Sequence, residues 1–237
     1  MESLDLKSFF EKVNYDWEKD LEDLSIICNL TKTRVNPREK EFRFLAGMEQ
    51  PFLIKAVAEW LSAKKFFEIG TGRGTSCYTV ALCEDIEKML TVDIVPHNFK
   101  KHEAVGFRPA HVSNADLYEK VPFKQKKKIE FCERKKIYSV LREHKNYDFC
   151  FIDGDHSNPT VIMSDYVLCQ QVMKTGGIII WDDYDPDKFA VKGVLEYLQK
   201  SNDKLDCLLV ESRGHLFEGE KEQGAGMVLM KEGKIFE

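Results

Sequence analysis

No run of apolar residues in this chain is long enough to cross a bilayer. Its first residues, Met1-Glu2-Ser3-Leu4-Asp5, lack the basic and apolar stretches of a signal peptide. A basic surplus is missing too. Against 40 Asp and Glu stand 35 Lys and Arg, a net charge of -5, which leaves no positive field for nucleic acid. None of the seven cysteines shows Cys-x-x-Cys spacing, which argues against a zinc site. Cys77, Cys83, Cys150 and Cys169 lie in apolar runs, where a free thiol packs as a small hydrophobe. These absences point to a reducing, cytoplasmic compartment with no membrane partner. No internal repeat and no linker divides the 237 residues, and 43% hydrophobic with 32% charged residues suits one sizeable α/β domain with an appendage.

What is present centres on Phe66-Phe67-Glu68-Ile69-Gly70-Thr71-Gly72-Arg73-Gly74-Thr75-Ser76. An apolar strand enters a glycine turn, and the small residues after it, Cys77 to Leu82, read as a helix. Strand, glycine turn and helix form the arrangement that cradles nucleotides. Gly70 and Gly72 allow a tight turn and let a ligand lie on bare backbone. Gly74 and Thr75 open the helix, whose first N–H groups lack internal partners. A dinucleotide fingerprint needs Gly-x-Gly-x-x-Gly, and here Thr75 stands at the final glycine position. With Glu68 two residues before the first glycine, the Glu-x-Gly-x-Gly-x-Gly pattern resembles the cofactor loop of class I S-adenosylmethionine-dependent methyltransferases. That resemblance implies that Glu68, Gly70, Thr71, Gly72, Gly74, Thr75 and Ser76 form the cofactor-binding loop, around the methionine part of the cofactor.

The periodicity predicts helices over residues 3–30, from Arg38 to Met48 and from Pro51 to Leu61. Residues 1–62 are thus a helical extension, and 63–237 the main domain. The extension covers one face of the sheet, or else walls a substrate pocket or forms a dimer surface. Lys88 to Ile94 is a short strand that ends in Asp93, about twenty residues past the loop, where an acid can accept both ribose hydroxyls of a nucleoside. This feature suits S-adenosylmethionine and NAD alike. Residues 96–128 are polar and irregular, a candidate lid, with the run Lys124 to Lys128 read as a solvated face. Further strands follow at Ile129–Cys132, Tyr147–Ile152, Ile178–Trp181, Leu205–Val210 and Met227–Met230. Helices are expected at Ile137–His144, Val161–Met173 and Phe189–Lys200. The expected architecture is α/β, a doubly wound, mostly parallel, seven-stranded Rossmann-like sheet with helices on both faces.

The strands ending at Ile152 and Trp181 deliver Asp153, Asp155, His156, Asp182, Asp183 and Asp185 to one rim. Such negative charge in a crevice is unfavourable unless a cation or proton offsets it. Ile152-Asp153-Gly154-Asp155-His156 with Trp181-Asp182-Asp183-Tyr184 resembles the metal-dependent O-methyltransferases, and most of all the small-molecule branch labelled methyltransferase family 24. The resemblance covers about residues 60–232. It implies that Asp153, Asp182 and Asp183 hold a divalent ion, and an oxygen-only donor set suits Mg²⁺. Neighbouring strand residues point oppositely, so Asp182 and Asp183 can share an ion only if the backbone turns there. The catechol-type enzymes place their base three residues after the first metal Asp, here His156. The sugar-type enzymes place it two after, here Asp155. The sequence reading puts His156 as catalytic base and Asp155 as its orienting partner.

The activity so implied is methyl transfer from S-adenosylmethionine to a small hydroxylated substrate, with Mg²⁺ or another divalent cation assisting. A homo-oligomer is compatible with it. Two alternatives stand beside it: a nicotinamide-dependent oxidoreductase, which the glycine spacing disfavours, and a non-catalytic module that keeps the cofactor or metal pocket. A nucleic-acid methyltransferase is disfavoured by the lack of an Asn/Asp-Pro-Pro-Tyr/Phe segment and of a basic face.

Overall fold

Alternation decides which way each strand faces. In β2 (Lys65–Ile69), Phe66 enters one core and Phe67 the opposite one. In β5 (Tyr147–Ile152), Phe149 and Phe151 enter the first core, while Cys150 and Ile152 enter the second. Every residue of β5 is buried, as a central parallel strand covered on both faces requires. Each of these fully buried Phe side chains contributes about 1.5–3 kcal/mol.

The computed structural model describes residues 1–31, 42–100, 112–121, 128–185 and 187–236. The remaining strands are β1 (Glu2–Asp5), β3 (Lys88–Asp93), β4 (Ile129–Glu133), β6 (Met173–Tyr184), β7 (Leu205–Glu211) and β8 (Gly226–Glu232). All lie in one eight-stranded sheet of order β1-β7-β8-β6-β5-β2-β3-β4. Every pairing is parallel except those of β8, which runs antiparallel to β6 and β7. From β2 the chain winds outward through β3 to β4, then returns to place β5 on the other side of β2. The crevice at such a reversal is where open α/β sheets bind ligands.

Helices cover both faces. On one lie α1 (Leu6–Val13), α2 (Leu21–Leu30), α3 (Gln50–Trp60), α4 (Thr75–Val80) and α5 (Asn114–Lys120). On the other lie α6 (Ile137–Val140), α7 (Pro159–Val172) and α8 (Val191–Ser201). The expected α/β architecture is therefore observed, with eight strands among the described residues instead of seven. The additional strand is β1, which pairs with Leu208–Glu211 inside the segment expected to be one long helix. Four residues are too few to show a period, and pairing with a sheet edge overrides local preference. The Asp5 carboxylate then starts α1 by accepting from the Lys7 and Ser8 amides. Asn14 ends α1 in the left-handed region at φ 55°.

The expected helix from Arg38 to Met48 is absent from its described part, 42–48; residues 38–41 lie outside the described residues. Of the candidate lid, 101–111 and 122–127 lie outside them too, including Pro109, Pro122 and the lysines at 124, 126 and 127. Its described part holds α5, opened by a capping box in which Ser113 and Asp116 satisfy each other's amides.

Candidate active site

β2 runs straight into Gly70, at φ 97°. A Cβ there would lie 1.8 Å from the Asp153 carbonyl oxygen, so only glycine lets the loops after β2 and β5 touch. Gly72, at φ 50°, faces open space and leaves its backbone approachable. Gly74, at φ 87°, is covered from behind by the Tyr78 ring. Asp93, at the end of β3, accepts hydrogen bonds from the amides of Gly72 at 2.9 Å and Val95 at 2.8 Å. The candidate ribose acceptor therefore also ties the glycine loop to the neighbouring strand.

Beneath the loop lies a chain of hydroxyls around a buried acid. Glu68 has no exposed surface and accepts from Ser76 Oγ and Thr91 Oγ1. Thr91 Oγ1 lies 2.6 Å from Thr71 Oγ1, which lies 3.2 Å from His97 Nε2. Thr75 Oγ1 donates to Thr31 Oγ1 at 2.9 Å. Burial pushes the Glu68 carboxyl up to about 8 despite the two hydroxyl donors, with the charges of Asp153 and Asp93 adding to the rise. Glu68 thus braces the loop from below through Ser76 and Thr91.

The acid rim stands beside it. His156 Nε2 lies 3.3 Å from Asp153 Oδ1 and 3.5 Å from Asp183 Oδ2. Asp183 adopts φ 50°, a strained conformation for a non-glycine residue. That turn interrupts the strand alternation at Asp182-Asp183. Asp182 accepts a hydrogen bond from Gln50 Nε2 at 2.5 Å. Burial raises the Asp182 carboxyl well above its ordinary value, and the charges of Asp153 and Asp183 raise it further. Asp153 is raised by burial as well, partly offset by His156. Burial alone would lower His156, but its contact with Asp153 and the charges of Asp182 and Asp183 win and push it up to about 9. The acids around it therefore favour the protonated imidazole.

Asp155 is directed elsewhere. It is exposed, and its carboxylate accepts from the Ser157 and Asn158 amides at 2.8 and 3.1 Å, closing the turn before α7. Behind this turn, Arg134 reaches in from the end of β4 to pair with the buried Asp165 at 2.5 Å. A Cβ on Gly154 would sit 2.8 Å from Asp165 Oδ2, so the pair supports the Asp-Gly-Asp-His loop directly. Glu133, next to Arg134, is held outward by Lys135 and Lys136 at 2.8 and 3.0 Å.

Three carboxylates from two adjacent strand ends are the right donor chemistry for a hard divalent ion. As placed, Asp153 and Asp183 lean on His156 and Asp182 on Gln50. Among the described residues, no three His, Cys, Asp or Glu side chains are arranged to hold a metal. A surface groove of about 480 Å³ lies between α7 and α8, lined by Pro159, Met163, Phe189 and Tyr197 among others, and contains none of the rim residues.

Residues 67–184, about half of the chain, match a family model described as a methyltransferase domain. The chain belongs to the class I S-adenosylmethionine-dependent methyltransferases. Among curated relatives of this chain, caffeoyl-CoA O-methyltransferase 2 of Eucalyptus globulus is 25% identical over 169 residues. That match takes in 65% of this chain and 64% of the relative's length, just under two thirds of it. The O-methyltransferase TomG from Streptomyces achromogenes, solved with S-adenosylmethionine, shares the fold at a TM-score of 0.55 and 16% identity, over 90% of each chain. An O-methyltransferase from Bacillus cereus, solved with S-adenosylhomocysteine, does so at 0.51 and 15%, over 92% of this chain and 90% of its own.

Gln50, Thr91, His97 and the Arg134–Asp165 pair belong to no motif that the sequence displays. Thr91 carried a usable signal, a polar residue inside an apolar strand beside the glycine loop's own strand. Gln50 carried none, since it stands 132 positions from Asp182.

Proposed function

We propose that this methyltransferase transfers the methyl group of S-adenosylmethionine to a hydroxyl of a small-molecule acceptor, assisted by Mg²⁺ or another divalent ion. The observation that carries the reading is the backbone contact between Gly70 and Asp153. It makes the cofactor loop and the acid rim neighbours, so that a group held by one lies beside the other. The O-methyltransferase names of the relatives support an oxygen acceptor. Seven buried free thiols suit a reducing, cytoplasmic setting.

In this reading Gly70, Thr71, Gly72, Gly74, Thr75 and Ser76 shape the seat of the methionine part, with Glu68 bracing it. Asp93, at the end of β3, accepts the ribose hydroxyls. Asp153, Asp182 and Asp183 would hold the ion, which when bound supplies charge neutralisation of the rim and a lowered pKa for the acceptor hydroxyl. His156 accepts the acceptor's proton at Nε2, the atom that faces the rim. It can do so only when neutral, hence only when the surrounding carboxylate charge is offset. Asp155 serves His156 indirectly, by fixing the turn that carries it. The methyl leaves the sulfonium for the oxygen, and the hydroxyl proton goes to the imidazole.

The test is methyl transfer from S-adenosylmethionine across a panel of phenols, sugars and hydroxy acids, with and without EDTA, alongside calorimetry of cofactor binding. Transfer is expected to vanish in EDTA while cofactor binding persists. Full activity in EDTA would remove the ion from the reading. Cofactor binding with no turnover on any acceptor would favour a non-catalytic module.

A further inference from the structure

The acid rim is held from a side that the reaction scheme does not use. Gln50 Nε2 donates to Asp182 Oδ2 at 2.5 Å, joining the first turn of α3 to the end of β6. α3 is a firm anchor, because Phe52, Leu53 and Ile54, which follow at once, have no exposed surface. The residue before Gln50 is tied as tightly. Glu49, 1% exposed, accepts from the Gly47 amide at 2.5 Å and from the Gly214 amide at 2.8 Å, the latter in the loop between β7 and β8. The same loop is bound to residues 44–46. Ala46 N donates to Glu218 O at 3.2 Å, and Phe44 stacks on Phe217 at 4.8 Å. Residues 44–50 and the β7–β8 loop are thus joined into one wall, and Gln50 connects that wall to the rim.

We infer that Gln50 is a positioning residue that sets the Asp182 carboxylate for the rim's chemistry. This rests on the reading of Asp182 as part of the reacting site. Its amide is a neutral donor. It occupies Oδ2 without adding charge to a rim already crowded with carboxylates. A carboxylate at position 50 would repel Asp182, and a lysine would neutralise it. The amide does neither, and fixes direction alone. Hydrogen-bond partners behind a reacting or ligating group are worth roughly 10–100-fold in affinity or rate when removed.

The test uses the full chain with Gln50→Met, which keeps the side chain's length and loses its donor. Three readouts are taken: kcat and KM, Mn²⁺ affinity by calorimetry without acceptor, and the side-chain amide proton shifts of Gln50. In the wild type one Gln50 amide proton is expected downfield of the other glutamines, returning to them in Asp182→Asn. Gln50→Met is expected to lower kcat and Mn²⁺ affinity by about 10–100-fold, with KM for S-adenosylmethionine and the melting temperature little changed. On top of Asp182→Asn it is expected to add less than about twofold, because residues acting through one bond are not additive. Wild-type kcat and Mn²⁺ affinity in Gln50→Met, or an unshifted Gln50 amide, would overturn the inference. Failure of the wild type to bind Mn²⁺ or turn over would instead overturn the functional reading, and the amide shift would still decide whether Gln50 holds Asp182.

Discussion

Replacing Glu68 by Gln is expected to stabilise the protein at alkaline pH and to do little at acid pH. Glu68 has no exposed surface, and burial raises its carboxyl from an ordinary 4.5 to about 8 in the folded chain. Between those values the folded state holds a proton that the unfolded chain has released. Stability therefore falls as pH rises through this window: it is fully present below 4.5 and lost by the time pH passes about 8. At ~1.4 kcal/mol per pH unit, the window sets a ceiling of about 5 kcal/mol on the loss. That is a large share of a domain's usual total of roughly 5–15 kcal/mol. Gln is the neutral isostere of the protonated acid and can still bond Ser76 and Thr91, so Glu68→Gln should not lose this stability. The assay is urea unfolding of both proteins at intervals from pH 4.5 to 9. The curves should nearly coincide at the acid end and separate by several kcal/mol at the alkaline end, the variant being the more stable. Parallel profiles would refute the reasoning and show Glu68 to be ionised, or relieved by water, in the folded chain.

Gly70→Ala should cost about 1–2 kcal/mol from its left-handed backbone alone, and more from collision with the Asp153 carbonyl. Urea unfolding and cofactor calorimetry would both register it, and an unchanged midpoint would count against the backbone contact. Asp93→Ala removes an acceptor of the Gly72 and Val95 amides and, under the proposed function, that of the ribose. A loss of roughly 1.5–3 kcal/mol in S-adenosylmethionine binding is expected, tenfold or more in Kd; calorimetry showing unaltered affinity would remove Asp93 from the cofactor site. His156→Ala should lower kcat by about a hundredfold or more and leave cofactor affinity alone. A variant that keeps its rate would leave the rim without a protein base.

The central strands could be read directly because burial on both faces writes a continuous apolar run, as in Tyr147–Ile152. The rim's acids could be picked out because Asp153 and Asp182 each follow such a run at once, with Asp183 next to Asp182. Beyond that, the information was not local. β1 is a strand only because β7 offers an edge to its four residues. The turn that brings Asp183 toward His156 lies in a backbone angle, and nothing in Asp-Asp dictates it. The Asp155 turn was open to either role from sequence, since the same residue can face a neighbour's ring or its own backbone. Gln50 belongs to the same class of information, because its meaning comes from a strand end more than half the chain away. α5 is different: Ser113 and Asp116 spell a capping box within four residues, a local signal set in a polar, proline-containing stretch.

The four residues of β1 have a consequence for solubility. They are the last strand on their side of the sheet, and they cover a β7 segment whose Leu208, Leu209 and Val210 would otherwise present an open apolar edge. An uncovered edge of that kind is a template for pairing with another chain. β1 itself begins and ends in acids, Glu2 and Asp5, which discourage further strand addition. Loss of these residues would therefore show first as self-association through β7, in a protein whose acid rim and glycine loop, three and more strands from β1, were still intact.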